Sequence, residues 1–226
     1  MAVTFAGLAC GVASFEAART GAWDIALRLI LLAALADGID GTVARLLHAS
    51  GRIGKELDGL SDVVVFGAVP ALLFLTRYID AAEPAHTALL ASAIVFLCSG
   101  AYRLARFQVD SRPETFCGLP ITAAGVLLAA TVAGPLSPPA PAAAVVTLLL
   151  AALMVSRVSF PTFTRWRRTL LAAMGASIVP IVIWPRGSTM EIVTIALFGI
   201  YVLSGLASHV LDRNDAGIVK VTLDVS

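Results

Sequence analysis

Four aspartates lie at helical spacings in a chain that otherwise contains few charges. Asp37 and Asp40 are three residues apart, so they share one face if their segment is helical. Asp58 and Asp62 are four residues apart and would share one face of the next helix. Residues His48 to Gly54 include two glycines and a serine, which is typical of a tight connection. The two acidic pairs are therefore expected to meet across a helical hairpin.

Carboxylates this close together would repel one another as bare anions. Hard oxygen ligands suit Mg²⁺ or Mn²⁺, so the spacing predicts a divalent-cation site. Gly41 and Gly54 leave space beside the acids, where a ligand can approach the backbone. Arg45 lies one turn beyond Gly41 and offers a fork of N–H donors to a phosphate. The alternative is a cluster of helix-end acids solvated at a membrane surface.

These residues form the pattern D-x2-D-G-x2-A-R-x8-G-x3-D-x3-D, which runs from Asp37 to Asp62. The pattern resembles the signature of the CDP-alcohol phosphotransferases, which are integral membrane enzymes of phospholipid synthesis. The resemblance implies two divalent cations, with Asp37, Asp40 and Asp58 mainly as metal ligands. It also implies that Asp62 is the general base for the incoming hydroxyl and contacts a metal as well.

The resemblance assigns the smaller residues of the motif to the nucleotide. Gly41, Ala44 and Gly54 would make room for the cytidine, and Arg45 would contact the nucleotide or its phosphates. CMP would then be the leaving group, which the metal-bound carboxylates help to stabilise as it departs.

The composition is that of a membrane protein. Of 226 residues, 58% are hydrophobic and 14% charged, against about 25% charged in soluble domains, and the mean hydropathy is +0.90. We predict an all-α, polytopic transmembrane helix bundle of about eight spans, with the six-helix catalytic core that the resemblance implies. The apolar segments are roughly residues 2–17, 23–48, 55–77, 85–107, 119–135, 139–156, 168–184 and 190–211.

The distribution of basic residues predicts the orientation. With eight spans, one side carries all of the 16 Lys and Arg residues except Arg19, Arg28, Arg77 and Arg186. The positive-inside rule then places both termini and the acidic cluster in the cytoplasm, at the cytoplasmic membrane. We expect one catalytic domain over residues 1–211 and a short cytoplasmic tail over 212–226. The net charge of +1 gives no support to nucleic-acid binding.

The stretch LDGLSDVVVFGAVPAL from Leu57 to Leu72 and three further stretches bear on the acceptor alcohol. The other three read CSGAYRLARF from Cys98, FCGLPITAA from Phe116 and MVSRVSFPTF from Met154. Each resembles its counterpart in the membrane-integral phosphatidylserine synthases of the same family. That resemblance implies CDP-diacylglycerol as donor, L-serine as acceptor and a homodimer.

The chain departs from this group at several positions. Gly59 and Val65 stand where the group has serine, and Gln108 stands where it has asparagine. Serine brings a carboxylate, so a cation is expected to hold it. We hypothesise that Arg103 or Arg106 binds that carboxylate or the lipid phosphate; the alternative is a helix-end arginine that reaches lipid headgroups.

Three other functions stay open at this stage. The same chemistry could use glycerol 3-phosphate, inositol phosphate or choline as the acceptor. A transporter could also carry intramembrane carboxylates, although these acids cluster in one hairpin near one face. An inactive structural homologue is the third alternative. The presence of all four acids of the motif argues against it.

Overall fold

The computed structural model of the chain consists almost entirely of helices. It describes residues 1–47, 52–81, 85–109, 116–134, 137–156, 158–160, 196 and 199–204, with side chains except at 39–47, 52, 116–117 and 159–160. The helices are α1 (Ala2–Arg19), α2 (Trp23–Leu47), α3 (Arg52–Asp62), a π-helical segment (Val63–Ala68), α4 (Val69–Arg77), α5 (Ala85–Val109), α6 (Ile121–Ala133) and α7 (Ala140–Val155). Two strands of two residues each, β1 (Phe116–Cys117) and β2 (Ser159–Phe160), pair antiparallel. The prediction of an all-α fold is confirmed, since this pairing joins two loops and forms no layer.

Each of the first six predicted segments coincides with a helix. Helices α3 and α4 and the π segment between them form one continuous rod. Among the described residues, Ile53–Arg77 and Ala85–Val109 are long and apolar enough to cross a membrane, whereas α6 and α7 are apolar but shorter. The predicted segment at 168–184 lies outside the described residues, as does most of the one at 190–211. The number of spans and the boundary at residue 211 therefore stay predictions.

Helices α1 and α2 form an antiparallel hairpin. Gly21 has a φ of 82°, a left-handed conformation that glycine adopts without steric cost. The Ala22 N–H donates to the Ala17 carbonyl at 2.8 Å, which closes the turn. Further along, the buried Ser14 hydroxyl donates to the Ala26 carbonyl at 2.8 Å and joins the two helices directly. The hairpin thus places the first residues of α1 beside the second half of α2.

The end of the bundle away from the acids is tied by polar contacts. The Arg77 guanidinium lies 5.1 Å from the centre of the Trp23 ring and donates to the Ser137 hydroxyl at 3.1 Å. The Tyr78 hydroxyl donates to the Pro138 carbonyl at 2.6 Å. These contacts join the end of α4 to the start of α2 and to the loop before α7.

A buried apolar core fills the bundle, and α5 and α7 also carry apolar side chains on their outward faces. The largest fully buried side chains include Phe66, Phe74, Phe96, Leu128 and Met154. The outward ones include Leu90, Ile94, Val95, Val145, Leu148 and Leu149, each at least 41% exposed. Exposed apolar faces of this kind suit contact with lipid rather than water.

One predicted boundary is wrong. We expected the connection to extend from His48 to Gly54, but α3 already begins at Arg52. Gly54 therefore lies in the first turn of a helix. Glycine lowers helix propensity but does not prevent a helix that packing supports, which explains the difference.

Candidate metal centre

Three of the four predicted acids converge. One carboxylate oxygen from each of Asp37, Asp58 and Asp62 lies within 4.8 Å of the other two, and all three residues are half-buried. Two oxygens bound to one divalent ion at about 2.0–2.6 Å are at most about 4–5 Å apart, so this spacing fits a shared cation. Helix α2 supplies Asp37, and α3 supplies the other two from successive turns. The donor set therefore fits a hard divalent ion such as Mg²⁺ or Mn²⁺.

A small cavity adjoins this acidic cluster. Its volume is about 20 Å³, which is enough for an ion or a water molecule. The three acids and Ser61 form its polar wall, and the start of α1 closes another side with Thr4 and Gly7. Ser61 is a site residue that sequence reasoning missed, and its place directly before Asp62 was the available signal. The lining residues are Val3, Thr4, Gly7, Ala33, Asp37, Asp58, Ser61, Asp62, Val65 and Phe66.

The remaining motif residues are placed in part. Helix α2 continues to Leu47, so Asp40 follows Asp37 by about one turn on the same side of the helix. The side chains of Asp40, Gly41, Ala44 and Arg45 lie outside the described part of the chain, and their roles stay predictions. Gly54 lies one turn before Asp58, and a Cβ there would meet none of the described residues within 4 Å.

Arg103 and Arg106 lie three residues apart on α5 but have different surroundings. Arg103 is only 6% exposed, and its charge interacts with the Asp62 carboxylate. Its Nε has no hydrogen-bond partner among the described residues. Arg106 instead donates from Nη1 to the Val155 carbonyl at 3.2 Å and from Nη2 to the Ser156 carbonyl at 3.4 Å. Of the two predicted arginines, Arg103 lies within electrostatic range of Asp62, and Arg106 binds the end of α7.

Tyr201 is a neighbour of the site that the sequence did not indicate. It is 9% exposed and interacts electrostatically with Arg103. It comes from a part of the chain where only general hydropathy could be matched to the family. Helical periodicity cannot show that such a distant segment reaches α5, so no signal for Tyr201 was available.

Three of the stretches that resemble phosphatidylserine synthases meet at one corner. Gly118 has a φ of 84°, and its N–H donates to the Val158 carbonyl at 2.9 Å. The Leu119 N–H donates to the Leu153 carbonyl at 3.0 Å. A Cβ on Gly118 would lie 3.2 Å from the Ser156 carbonyl oxygen and closer still to the backbone of Met154. Because Arg106 binds the same end of α7, the three stretches hold this corner together.

Two of the departures from that group touch each other. Gly59 lies between the two acids of α3, and a Cβ there would be 2.8 Å from the Gln108 amide nitrogen and 3.4 Å from Leu104 Cδ2. A serine at position 59 would therefore require the exposed end of the Gln108 side chain to move aside. The absence of a side chain at Gly59 leaves the space that Gln108 occupies.

Comparison with known proteins agrees with this geometry. Residues 1–184 match the model of the CDP-alcohol phosphatidyltransferase family. The CDP-diacylglycerol–serine O-phosphatidyltransferase of Helicobacter pylori is 36% identical over 128 residues, which are 55% of this chain and 53% of that protein. The enzyme of the same name from Methanocaldococcus jannaschii is 43% identical over 100 residues, 44% of this chain and 46% of that one. The archaetidylserine synthase of Methanothermobacter thermautotrophicus is 36% identical over 148 residues, 62% of this chain and 60% of that one.

The chain spans about half the length of the curated relatives it matches. The family match is longer and includes the whole motif from Asp37 to Asp62, together with α5, α6 and α7. The predicted membership is therefore confirmed: this protein belongs to the CDP-alcohol phosphatidyltransferase family.

Proposed function

We propose that this protein transfers the phosphatidyl group of CDP-diacylglycerol to L-serine, giving phosphatidylserine and CMP. The convergence of Asp37, Asp58 and Asp62 is the observation that carries the proposal. The names of the relatives, which are serine O-phosphatidyltransferases and an archaetidylserine synthase, support serine as the acceptor. The proposal includes two divalent cations, Mg²⁺ or Mn²⁺, held by these three acids and Asp40.

Bound divalent cations would supply Lewis-acid polarisation of the phosphoryl group and neutralise the charge that develops on it. The chain's own residues do the rest. Asp58 and Asp37 hold the metal from two helices, which fixes the geometry of the site. Asp62 accepts the proton of the serine hydroxyl, and the adjoining cavity gives that hydroxyl a place within hydrogen-bond reach. Gly41, Ala44, Arg45 and Gly54 receive the nucleotide.

The acceptor's carboxylate is assigned to Arg103. This side chain is buried and lies within electrostatic range of the candidate base, so we assign to it the carboxylate of an amino acid whose hydroxyl meets Asp62. A guanidinium binds a carboxylate through parallel N–H donors, which gives direction as well as charge. Glycerol 3-phosphate or inositol phosphate would bring a doubly charged group to the same place. Arg106, which binds the end of α7, is assigned to the structure of that corner.

We also propose that residues 1–211 form the catalytic domain, that 212–226 form a cytoplasmic tail, and that the site faces the cytoplasm of the cytoplasmic membrane. The two long apolar helices and the asymmetry of Lys and Arg support this orientation. A homodimer is proposed by analogy with the family. Cysteine labelling at Ile53 and at Ile79, which lie at opposite ends of the α3–α4 rod, tests the orientation in closed vesicles.

CMP release from CDP-diacylglycerol by the purified protein tests the proposed reaction. We expect release that depends on Mn²⁺ or Mg²⁺ and occurs with L-serine, with phosphatidylserine as the lipid product. Glycerol 3-phosphate, inositol phosphate and choline are the competing acceptors. Release with one of these instead would retain the metal centre and reject serine. No release with any acceptor would favour the inactive homologue.

A further inference from the structure

The rod that carries Asp58 and Asp62 is not uniform. Directly after Asp62 it becomes a π-helix over Val63–Ala68, in which the Val69 N–H donates to the Val64 carbonyl five residues earlier. A π turn contains one more residue than an α turn, and one residue corresponds to about 100° of rotation. The π segment therefore determines which way the two acids face relative to α4, which is packed into the core.

Pro70 explains why the hydrogen bonding changes here. Proline has no N–H, so the Phe66 carbonyl, four residues earlier, cannot receive its α-helical hydrogen bond. Both residues are buried, and Phe66 is only 2% exposed. The α-helical hydrogen bond is therefore missing at this carbonyl, and what packs against it bears on which form the helix takes.

Gly125 of α6 lies against this carbonyl. A Cβ on Gly125 would be 2.8 Å from Phe66 Cα, 2.9 Å from the Phe66 carbonyl carbon and closer still to its oxygen. A real Cβ cannot occupy that position, so the backbones of α6 and the π segment meet at a distance that only glycine permits. The glycine Cα–H faces the carbonyl that Pro70 leaves without an α-helical donor, and such C–H···O contacts are weakly favourable.

We propose that Pro70 and Gly125 are positioning residues for the metal centre. Neither touches the acidic cluster. Pro70 removes an N–H that a regular α-helix would need, and Gly125 leaves space for the π segment to pack closely against α6. The π segment in turn directs Asp58 and Asp62 towards Asp37. Single π turns inside α-helices occur frequently at functional sites, in accord with this role. The inference rests on the proposed metal-dependent function.

The variant Pro70→Ala gives the sharpest test. It restores an N–H to the helix and adds no atom near Gly125, so the rod can become α-helical without losing the fold. We expect the thermal midpoint to stay unchanged or rise. The Mn²⁺ concentration for half-maximal CMP release should increase by about tenfold or more, since groups that only orient metal ligands are worth about 10- to 100-fold in affinity. Mn²⁺ binding, followed by electron paramagnetic resonance in the absence of substrate, should weaken in parallel.

The variant Gly125→Ala should shift the Mn²⁺ dependence in the same direction, because its Cβ pushes the π segment away. The matched control is Gly199→Ala, where a Cβ would meet none of the described residues within 4 Å. This control should keep the wild-type Mn²⁺ dependence.

The outcomes separate the inference from the proposed function. A Pro70→Ala protein with wild-type Mn²⁺ binding and dependence would overturn the inference and leave the metal centre intact. If Gly125→Ala fails to fold, the Mn²⁺ binding of Pro70→Ala alone decides whether the inference holds. A wild-type protein that binds no Mn²⁺ would overturn the proposed metal centre, and the inference with it.

Discussion

Replacing Arg103 with glutamine removes a buried positive charge from beside Asp62 and keeps a polar side chain. Arg103 is 6% exposed, so water cannot easily take over its role. A hydrogen bond to a charged group contributes about 1.5–3 kcal/mol. Loss of one such bond to the serine carboxylate corresponds to an increase of about 10- to 150-fold in the KM for serine, since 1.4 kcal/mol is a factor of ten.

The assay is steady-state CMP release with one substrate varied while the other is saturating. Arg103→Gln should raise the KM for serine far more than the KM for CDP-diacylglycerol. A fall in kcat is also expected, because Asp62 loses its neighbouring cation. Size-exclusion chromatography and a thermal midpoint show whether the variant is folded.

Arg106→Gln is the matched control, since it changes the same residue type three positions away on α5. Its guanidinium binds carbonyls at the end of α7, so we expect a lower thermal midpoint with little change in either KM. Equal increases in both KM values for Arg103→Gln would refute the carboxylate assignment. A selective increase in the KM for serine in Arg106→Gln would assign the carboxylate to that residue instead.

Three further predictions address the acids and two close contacts. Asp58→Ala should lower CMP release by more than about 100-fold, because even groups that only orient a metal ligand are worth about 10- to 100-fold. The control Glu56→Ala, which changes an exposed neighbour, should alter CMP release by no more than about twofold. Retained activity in Asp58→Ala would remove that residue from the metal centre. Gly118→Ala should destabilise the protein by more than Gly21→Ala does, because of the two glycines only Gly118 also meets the backbone at the end of α7. Gly21→Ala should cost about 1–2 kcal/mol for the left-handed conformation alone. Thermal unfolding measures both variants, and equal losses of stability would contradict the contact at Gly118. Gly59→Ser should destabilise the protein by less than about 0.5 kcal/mol, because the exposed end of the Gln108 side chain can move aside. A larger loss in thermal unfolding that Gln108→Asn relieves in a double-mutant cycle would contradict this.

The positions of the helices could be predicted because hydropathy and length constrain them directly. Asp37 and Asp58 were expected to meet because helical spacing fixes which residues share a face and the hairpin brings the two faces together. The same reasoning failed by three residues at the start of α3, where packing supports a helix through Gly54.

The π segment could not be predicted, although Pro70 is visible in the sequence. Proline indicates a missing α-helical hydrogen bond, but the response of the helix depends on what packs against the carbonyl four residues earlier. That neighbour is Gly125, which is distant in sequence. The different surroundings of Arg103 and Arg106 depend in the same way on where α7 ends, which periodicity along α5 cannot show.

The acids of the cluster are synthesised before the arginine whose charge interacts with them, which matters while the chain is being inserted into the membrane. All three converging carboxylates belong to the first 62 residues, whereas Arg103, whose charge interacts with that of Asp62, follows about 40 residues later. At about 5–20 residues per second, the ribosome needs about 2–8 seconds to reach that arginine. During this interval helices α2 and α3 carry three acids without Arg103 to offset their charge. A divalent cation captured by the nascent chain would then stabilise the pairing of α2 with α3 before the rest of the site has been made.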